Sequence, residues 1–105
     1  MAAAEATTTT TLTEETVLRR SKAPSLAAVR HLTCYGLGLR DVSIVAQLTS
    51  CETLSLVGNG VVTLAPFASY RQLMELFLRG NRVASLQELR HLEGLRLLHT
   101  LWLSD

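Results

Sequence analysis

The sequence predicts an α/β solenoid, in which one strand-and-return unit of about 22 residues stacks on the next. Residues 51–61 read C-E-T-L-S-L-V-G-N-G-V, and residues 73–83 read L-M-E-L-F-L-R-G-N-R-V. Both follow the spacing L-x-x-L-x-L-x-x-N-x-L, and Asn59 and Asn81 lie 22 residues apart. This period and spacing are typical of a leucine-rich repeat, whose units bury their apolar faces only against one another.

The same register extends in both directions along the chain. Residues 29–39 fit it, with Cys34 in an apolar slot and Leu37 at the asparagine position. Leu98 opens a fourth unit 25 residues after Leu73, so the third unit is three residues longer. We therefore predict one leucine-rich-repeat domain over residues 11–105, with repeats starting at 29, 51, 73 and 98. We also expect a disordered low-complexity segment at 1–10 and a truncation at the C-terminus.

Residues 11–23 have the pattern of a short N-terminal capping helix. Thr11 or Thr13 can cap its first amides, and Pro24 stops it. Leu12 and Val17 would then cover the edge strand of the first repeat. The alternative is a solvated surface helix that caps nothing.

Each repeat is predicted to supply a short parallel strand and a helical or 3-10 return on the convex side. The predicted strands are 31–35, 53–57, 75–79 and 100–104. The predicted returns are 44–49 capped by Ser43, 66–72 with Pro66 in the first turn, and a helix from a Ser85-x-x-Glu88 capping box to about Glu93.

The repeated asparagines suggest a structural ladder. An asparagine at this position bonds the backbone of adjacent turns, which have no other partner in the stack. We assign this role to Asn59 and Asn81. Leu37 has no amide side chain, so the first turn must be stabilised by another residue.

Side chains alternate along a strand, so the residues between the leucine slots point outward from the concave face. The central outward column reads Thr33, Ser55, Phe77 and Trp102. Paired aromatic rings near an arginine have the composition of a protein-binding hot spot. The alternatives are that the rings stack only on each other or on a later segment, and that Arg79 forms a surface ion pair with Glu75. The candidate protein-binding residues are His31, Tyr35, Glu75, Phe77, Arg79 and Trp102.

The composition favours no other kind of site. The net charge of +1 gives no electrostatic case for nucleic acid, and no apolar stretch of about 20 residues could cross a membrane. Cys34 and Cys51 occupy core slots, which fits structural thiols in an intracellular protein. The histidines are scattered, and the chain lacks a G-x-S-x-G or Walker A motif, so we expect no enzyme activity, no metal and no cofactor.

Three segments resemble the family of cilia- and flagella-associated protein 410. Residues 12–36 (L-T-E-E-T-V-L-R-R-S-K-A-P-S-L-A-A-V-R-H-L-T-C-Y-G) are similar to its opening, V-L-x-R-x-K-A followed by V-R-x-L-N-C-W-G. Residues 73–89 and 98–103 look like its third and fourth repeats. Tyr35, Phe77, Arg79 and Trp102 match aromatic or basic slots of the family motif. Tyr35 stands where tryptophan is common in the family, and Thr33 stands where asparagine is common.

The resemblance implies a protein of the cytoplasm and cytoskeleton at the basal body of the cilium or flagellum, acting as an adaptor in cilium assembly or maintenance. It also implies that a NIMA-related kinase is bound through a C-terminal helical segment that this chain does not contain. Two alternatives remain open from the repeats alone. One is a regulatory subunit of a serine/threonine phosphatase, and the other is a spliceosomal leucine-rich scaffold.

Overall fold

The computed structural model describes residues 11–103, and within them the chain forms a leucine-rich-repeat solenoid. The predicted disordered segment 1–10 and the last two residues lie outside the described residues. Four strands form one parallel sheet in the order β1-β2-β3-β4. They are β1 His31–Thr33, β2 Thr53–Ser55, β3 Glu75–Phe77 and β4 Thr100–Trp102. The parallel order confirms the fold class that the repeated leucines predicted.

The strands are shorter than predicted, with three residues each instead of five. Hydrogen bonding between neighbouring repeats continues beyond them: the Cys34 amide donates to Ser55 O at 2.9 Å, and the Gly36 amide donates to Val57 O at 3.0 Å. The chain then turns out of the sheet at glycines with positive φ, which is +75° at both Gly58 and Gly80. Because side chains rarely tolerate this backbone conformation, the glycines determine where each strand segment ends.

The predicted capping helix is present as α1, Glu14–Ser21, and it packs on the first repeat. The Thr13 hydroxyl accepts a hydrogen bond from the Thr16 amide and caps the helix, which ends at Lys22 in the left-handed region. Val17 is fully buried, so α1 is part of the core and not a solvated surface helix. Leu12 is also buried, and its amide donates to Asp41 O at 2.9 Å.

The convex returns are 3-10 helices; the predicted Ser43 cap is wrong, and the predicted capping box is present only in its Ser85 half. These helices are Leu26–Ala28, Ser43–Gln47, Ala65–Phe67 with Pro66 in its first turn, and Leu86–Leu92. Ser43 makes no side-chain cap; its amide instead donates to the Asp41 carboxylate at 3.0 Å. Ser85 does accept from the Gln87 amide, but the Glu88 carboxylate bonds the preceding repeat rather than closing a capping box.

The core consists of the inward slots of successive repeats, and both cysteines belong to it. Cys34 and Cys51 are free thiols with exposed fractions of 0% and 1%. Burial raises the pKa of Cys51 to about 12, which keeps the thiol protonated and unreactive at neutral pH. Tyr70 lies in the same core, where its hydroxyl donates to Val45 O at 2.6 Å. This hydrogen bond explains how a phenol is buried without leaving a polar group unsatisfied.

Two leucines late in the solenoid, Leu86 and Leu101, are less covered than their counterparts in earlier repeats. Leu86 is 83% exposed, whereas Leu64 and Val42, at the same repeat position, are 0% and 3% exposed. Leu101 is 36% exposed, whereas Leu76 beside it in the sheet is fully buried. The described part of the fourth repeat is essentially its strand, so residues 11–103 include no fourth return that could cover these leucines.

Candidate protein-binding face

Two asparagine side chains hold the turns that border the sheet. The Asn59 amide oxygen accepts from the Leu37 and Leu39 amides, both at 3.0 Å, and Asn59 Nδ2 donates to Cys34 O at 2.7 Å and to Leu56 O at 2.8 Å. The turn around Leu37 is therefore held by the asparagine of the following repeat.

Asn81 repeats this arrangement one unit later. Its amide oxygen accepts from the Val61 amide at 2.9 Å, and its Nδ2 donates to Leu56 O at 2.8 Å and to Leu78 O at 3.0 Å. Both side chains bridge a turn to its neighbour in the stack. They keep successive turns in one register, and so they fix the position of the outward side chains beside them.

The sheet register places the outward side chains in columns that run across the repeats. The first column is His31, Thr53, Glu75 and Thr100, and the second is Thr33, Ser55, Phe77 and Trp102. We call this surface, together with Tyr35 and Arg79 just beyond the strands, the concave face. Its first two repeats carry small hydroxyl side chains in the second column, and its last two carry large rings. The second column is therefore polar in the first two repeats and aromatic in the last two.

Phe77 and Trp102 contact each other on the concave face. Their ring centroids are 5.2 Å apart and the ring planes meet at 85°, an edge-to-face arrangement. Phe77 is half-buried by this contact, whereas Trp102 remains 54% exposed. The rings do stack on each other, as one of the alternatives expected. Much of the indole surface is still open to a further apolar group.

The charged residues of the concave face do not form the ion pair that the alternative reading required. Glu75 accepts a hydrogen bond from the Thr53 hydroxyl at 3.1 Å. The ion pairs between described residues are Arg30–Glu52 at 3.4 Å and His91–Glu88 at 3.6 Å, so Arg79 has no acidic partner within residues 11–103. Its exposed guanidinium is thus available to a carboxylate from outside the domain.

The two remaining candidates lie near the first repeat and not beside the ring pair. His31 is exposed at the start of β1, and Tyr35 is 68% exposed two residues after the strand ends. A Cβ placed on Gly58 would lie 3.7 Å from the Tyr35 ring, so the phenol lies across that glycine. The concave face therefore has two separate aromatic points, at Tyr35 and at the Phe77–Trp102 pair.

One hydrogen-bonded contact between repeats could not be predicted from the repeat pattern. The Glu88 carboxylate accepts from the Thr63 hydroxyl at 2.7 Å and from the Leu64 amide at 2.9 Å. These bonds lower the pKa of Glu88, the Thr63 hydroxyl having the larger effect. Thr63 and Glu88 are 25 residues apart, and their contact joins the returns of neighbouring repeats. It is a structural contact on the return side of the domain.

The described residues offer little for catalysis or metal binding. Within residues 11–103, no three histidine, cysteine or acidic side chains lie close enough together to hold a metal ion. Burial also raises the pKa of Cys34, an effect that the nearby Arg20 partly offsets, so this thiol is a poor nucleophile. No helix in this part of the chain has the length and apolar character needed to cross a membrane.

Sequence comparisons confirm the resemblance to cilia- and flagella-associated protein 410. The human protein of that name is 45% identical over 94 residues, and the mouse protein is 47% identical over 94 residues. An uncharacterized protein of Caenorhabditis elegans is 39% identical over 99 residues. These alignments include 90%, 90% and 94% of this chain but only 37%, 38% and 21% of the relatives. No family model matches the chain.

Among solved structures, internalin C2 of Listeria monocytogenes has the same fold. The TM-score is 0.71 over 84% of this chain and 42% of the internalin, with 20% sequence identity. At that identity the likeness concerns the leucine-rich-repeat architecture alone. It independently supports the parallel sheet and the stacked returns described above.

Proposed function

Because this chain is a homologue of cilia- and flagella-associated protein 410 over nine-tenths of its length, we propose that it is a noncatalytic adaptor domain that binds a protein partner on its concave face. The proposal places the protein at the basal body of the cilium or flagellum, in cilium assembly or maintenance. The chain spans about 37% of the length of the human relative, so other parts of such a protein can bind other partners. We assign the binding of a NIMA-related kinase to such a region and not to this domain.

The observation that carries the proposal is the exposed ring pair near Arg79, which has no acidic partner among residues 11–103. Trp102 keeps 54% of its surface exposed although it is in contact with Phe77. Tryptophan and arginine are the residue types most enriched where binding energy is concentrated in interfaces. Arg79 supports the same surface because no described acidic side chain neutralises it. A partner would place an apolar side chain on the indole and a carboxylate at Arg79.

The test compares partners recovered by the unchanged protein and by Phe77→Ala/Trp102→Ala, each expressed as a tagged full-length protein in a flagellated cell. The matched control is Val62→Ala/Leu97→Ala. These two apolar side chains are 48% and 52% exposed, and they lie outside the columns of the concave face. Quantitative mass spectrometry after proximity labelling should show a specific set of proteins reduced by the first variant and unchanged by the control.

Phe77 is half-buried, so its truncation can also reduce stability. Trp102→Ala alone and Arg79→Gln alter mainly exposed groups and should each weaken recovery of the same proteins. Urea unfolding of every variant checks that the domain is still folded. Equal recovery with all concave-face variants would rule out this surface. A diffuse or nuclear location of the tagged protein, instead of the flagellar base, would favour the phosphatase-subunit or spliceosomal reading.

A further inference from the structure

Two neighbouring cavities lie along the turn that follows β1, and arginine side chains line both. The larger cavity, about 490 Å³, lies between α1 and this turn and is lined by Arg19 and Arg20 together with three threonines. The smaller cavity, about 250 Å³, is lined by Arg40 and Arg82 and by the glycines of two turns. Gly36, Leu37 and Leu39 line the larger cavity, and Gly38 and Arg40 line the smaller one, so the same turn borders both spaces.

Within residues 11–103, no acidic side chain forms an ion pair with the arginines of this region. No described aspartate or glutamate lines either cavity. The ion pairs recorded among residues 11–103 include none of the four arginines. Asp41 is adjacent in sequence to Arg40, but its carboxylate accepts from the Ser43 amide at 3.0 Å. Each cavity is therefore lined by two guanidinium groups, which can recognise carboxylates bidentately, and by no described acid.

Hydrogen bonds and packing hold the backbone around the two cavities in place. Asn59 lines the smaller cavity, and its side chain holds the Leu37 and Leu39 amides, which belong to the wall of the larger one. The stem of Arg40 packs over Gly60, where an added Cβ would lie 3.1 Å from the arginine Cγ. A surface that is already ordered loses less conformational entropy on binding than a mobile one.

We infer that Arg19, Arg20, Arg40 and Arg82, which we call the arginine edge, form a second docking surface that binds an extended acidic peptide segment of a partner protein. This surface is separate from the concave face and does not depend on the function proposed for it. The four arginines favour a ligand that carries negative charge. Because they line two cavities, a peptide with several carboxylates can contact both.

The dimensions fit a short peptide. Arg40 and Arg82 belong to turns two repeats apart, a separation of about 10 Å at about 4.8 Å between strands. An extended chain covers this distance with about three residues, and the α1 cavity adds a comparable length, so the site accepts about six residues. Nucleic acid fits less well, because no aromatic side chain lines either cavity to stack with bases, and the net charge is only +1.

The test measures fluorescence anisotropy of a fluorescein-labelled hexaglutamate peptide titrated with the 105-residue protein at low salt. The variant Arg20→Gln/Arg82→Gln removes one charge from each cavity. The matched control Arg71→Gln/Arg96→Gln removes two exposed arginines that line neither cavity. We expect saturable binding that the first variant weakens about five- to tenfold, the effect of losing two exposed ion pairs, and that the control leaves unchanged.

Three results would overturn the inference. The first is the absence of any anisotropy change with hexaglutamate. The second is equal weakening by both arginine variants, which would mean that net charge alone drives binding. The third is tighter binding of a duplex DNA of the same total charge with the same dependence on Arg20 and Arg82, which would assign the surface to nucleic acid. Phe77→Ala/Trp102→Ala should bind hexaglutamate normally, and a loss there would place the peptide on the concave face instead.

Discussion

Asn59→Ala provides the most direct test of how the repeats are held together. The substitution removes four hydrogen bonds of 2.7–3.0 Å, to the amides of Leu37 and Leu39 and to the carbonyls of Cys34 and Leu56. Asn59 is only 7% exposed, so water replaces these bonds poorly. At about 1 kcal/mol for each bond, the free energy of unfolding should fall by about 4 kcal/mol.

The assay is urea unfolding followed by far-ultraviolet circular dichroism. With an m-value of about 1–2 kcal/mol/M, the midpoint should fall by about 2–4 M while the m-value stays constant. Asn81→Ala removes three comparable bonds from a half-buried side chain, so its cost should be smaller, about 2 kcal/mol. Ser69→Ala, at an exposed position on the convex side, should change stability by less than about 0.5 kcal/mol.

The prediction is tested most closely by the order of the two stability losses, with Asn59→Ala costing more than Asn81→Ala. The reasoning is wrong if Asn59→Ala costs less than about 1 kcal/mol, or if Asn81→Ala costs more than Asn59→Ala. Either result would mean that the turns are held mainly by backbone contacts between repeats, such as the Gly60 amide with Leu39 O at 2.7 Å.

Two further predictions concern contacts between repeats. Hydrogen bonds from Thr63 and Leu64 lower the pKa of Glu88, so the stabilisation by the Glu88 carboxylate is present above the pKa of an unfolded glutamate and is lost as pH falls through the lower folded pKa. Urea unfolding between about pH 6 and pH 3 should therefore show a steeper loss of stability for the unchanged protein than for Glu88→Gln, and parallel curves would contradict this. Gly80 has φ +75°, and an added Cβ would lie 3.3 Å from the Gly58 nitrogen, so Gly80→Ala should destabilise the domain by about 1–3 kcal/mol. Gly94→Ala, where no atom lies within 4 Å of the added Cβ, is the control, and equal midpoints for the two variants would refute the steric argument.

The sequence determined the architecture because each repeat places the same residue types at the same spacing. Leu32, Leu54, Leu76 and Leu101 align in the sheet as their spacing predicted. The column that contains Phe77 and Trp102 follows from the same register, since successive side chains on a strand point to opposite faces. The resemblance to cilia- and flagella-associated protein 410 was also present in the sequence, because it depends on residue identity and order.

Only the tertiary structure decided which polar and charged groups meet. Glu88 satisfies the sequence rule for a capping box, yet its carboxylate accepts a hydrogen bond from Thr63 of the preceding repeat, because the two returns stack against each other. Arg79 and Glu75 are near each other in sequence, but Glu75 accepts a hydrogen bond from Thr53, and Arg79 has no ion pair with it or with another acid among residues 11–103. Arg20 and Arg82 are 62 residues apart and have no shared motif, so only the packing of α1 and the turns could place each of them in a cavity bordered by residues 36–40. Apolar slots repeat with a fixed period, so they can be predicted from the sequence. A hydrogen bond or a charge cluster between repeats depends on distances that are set only when the repeats stack.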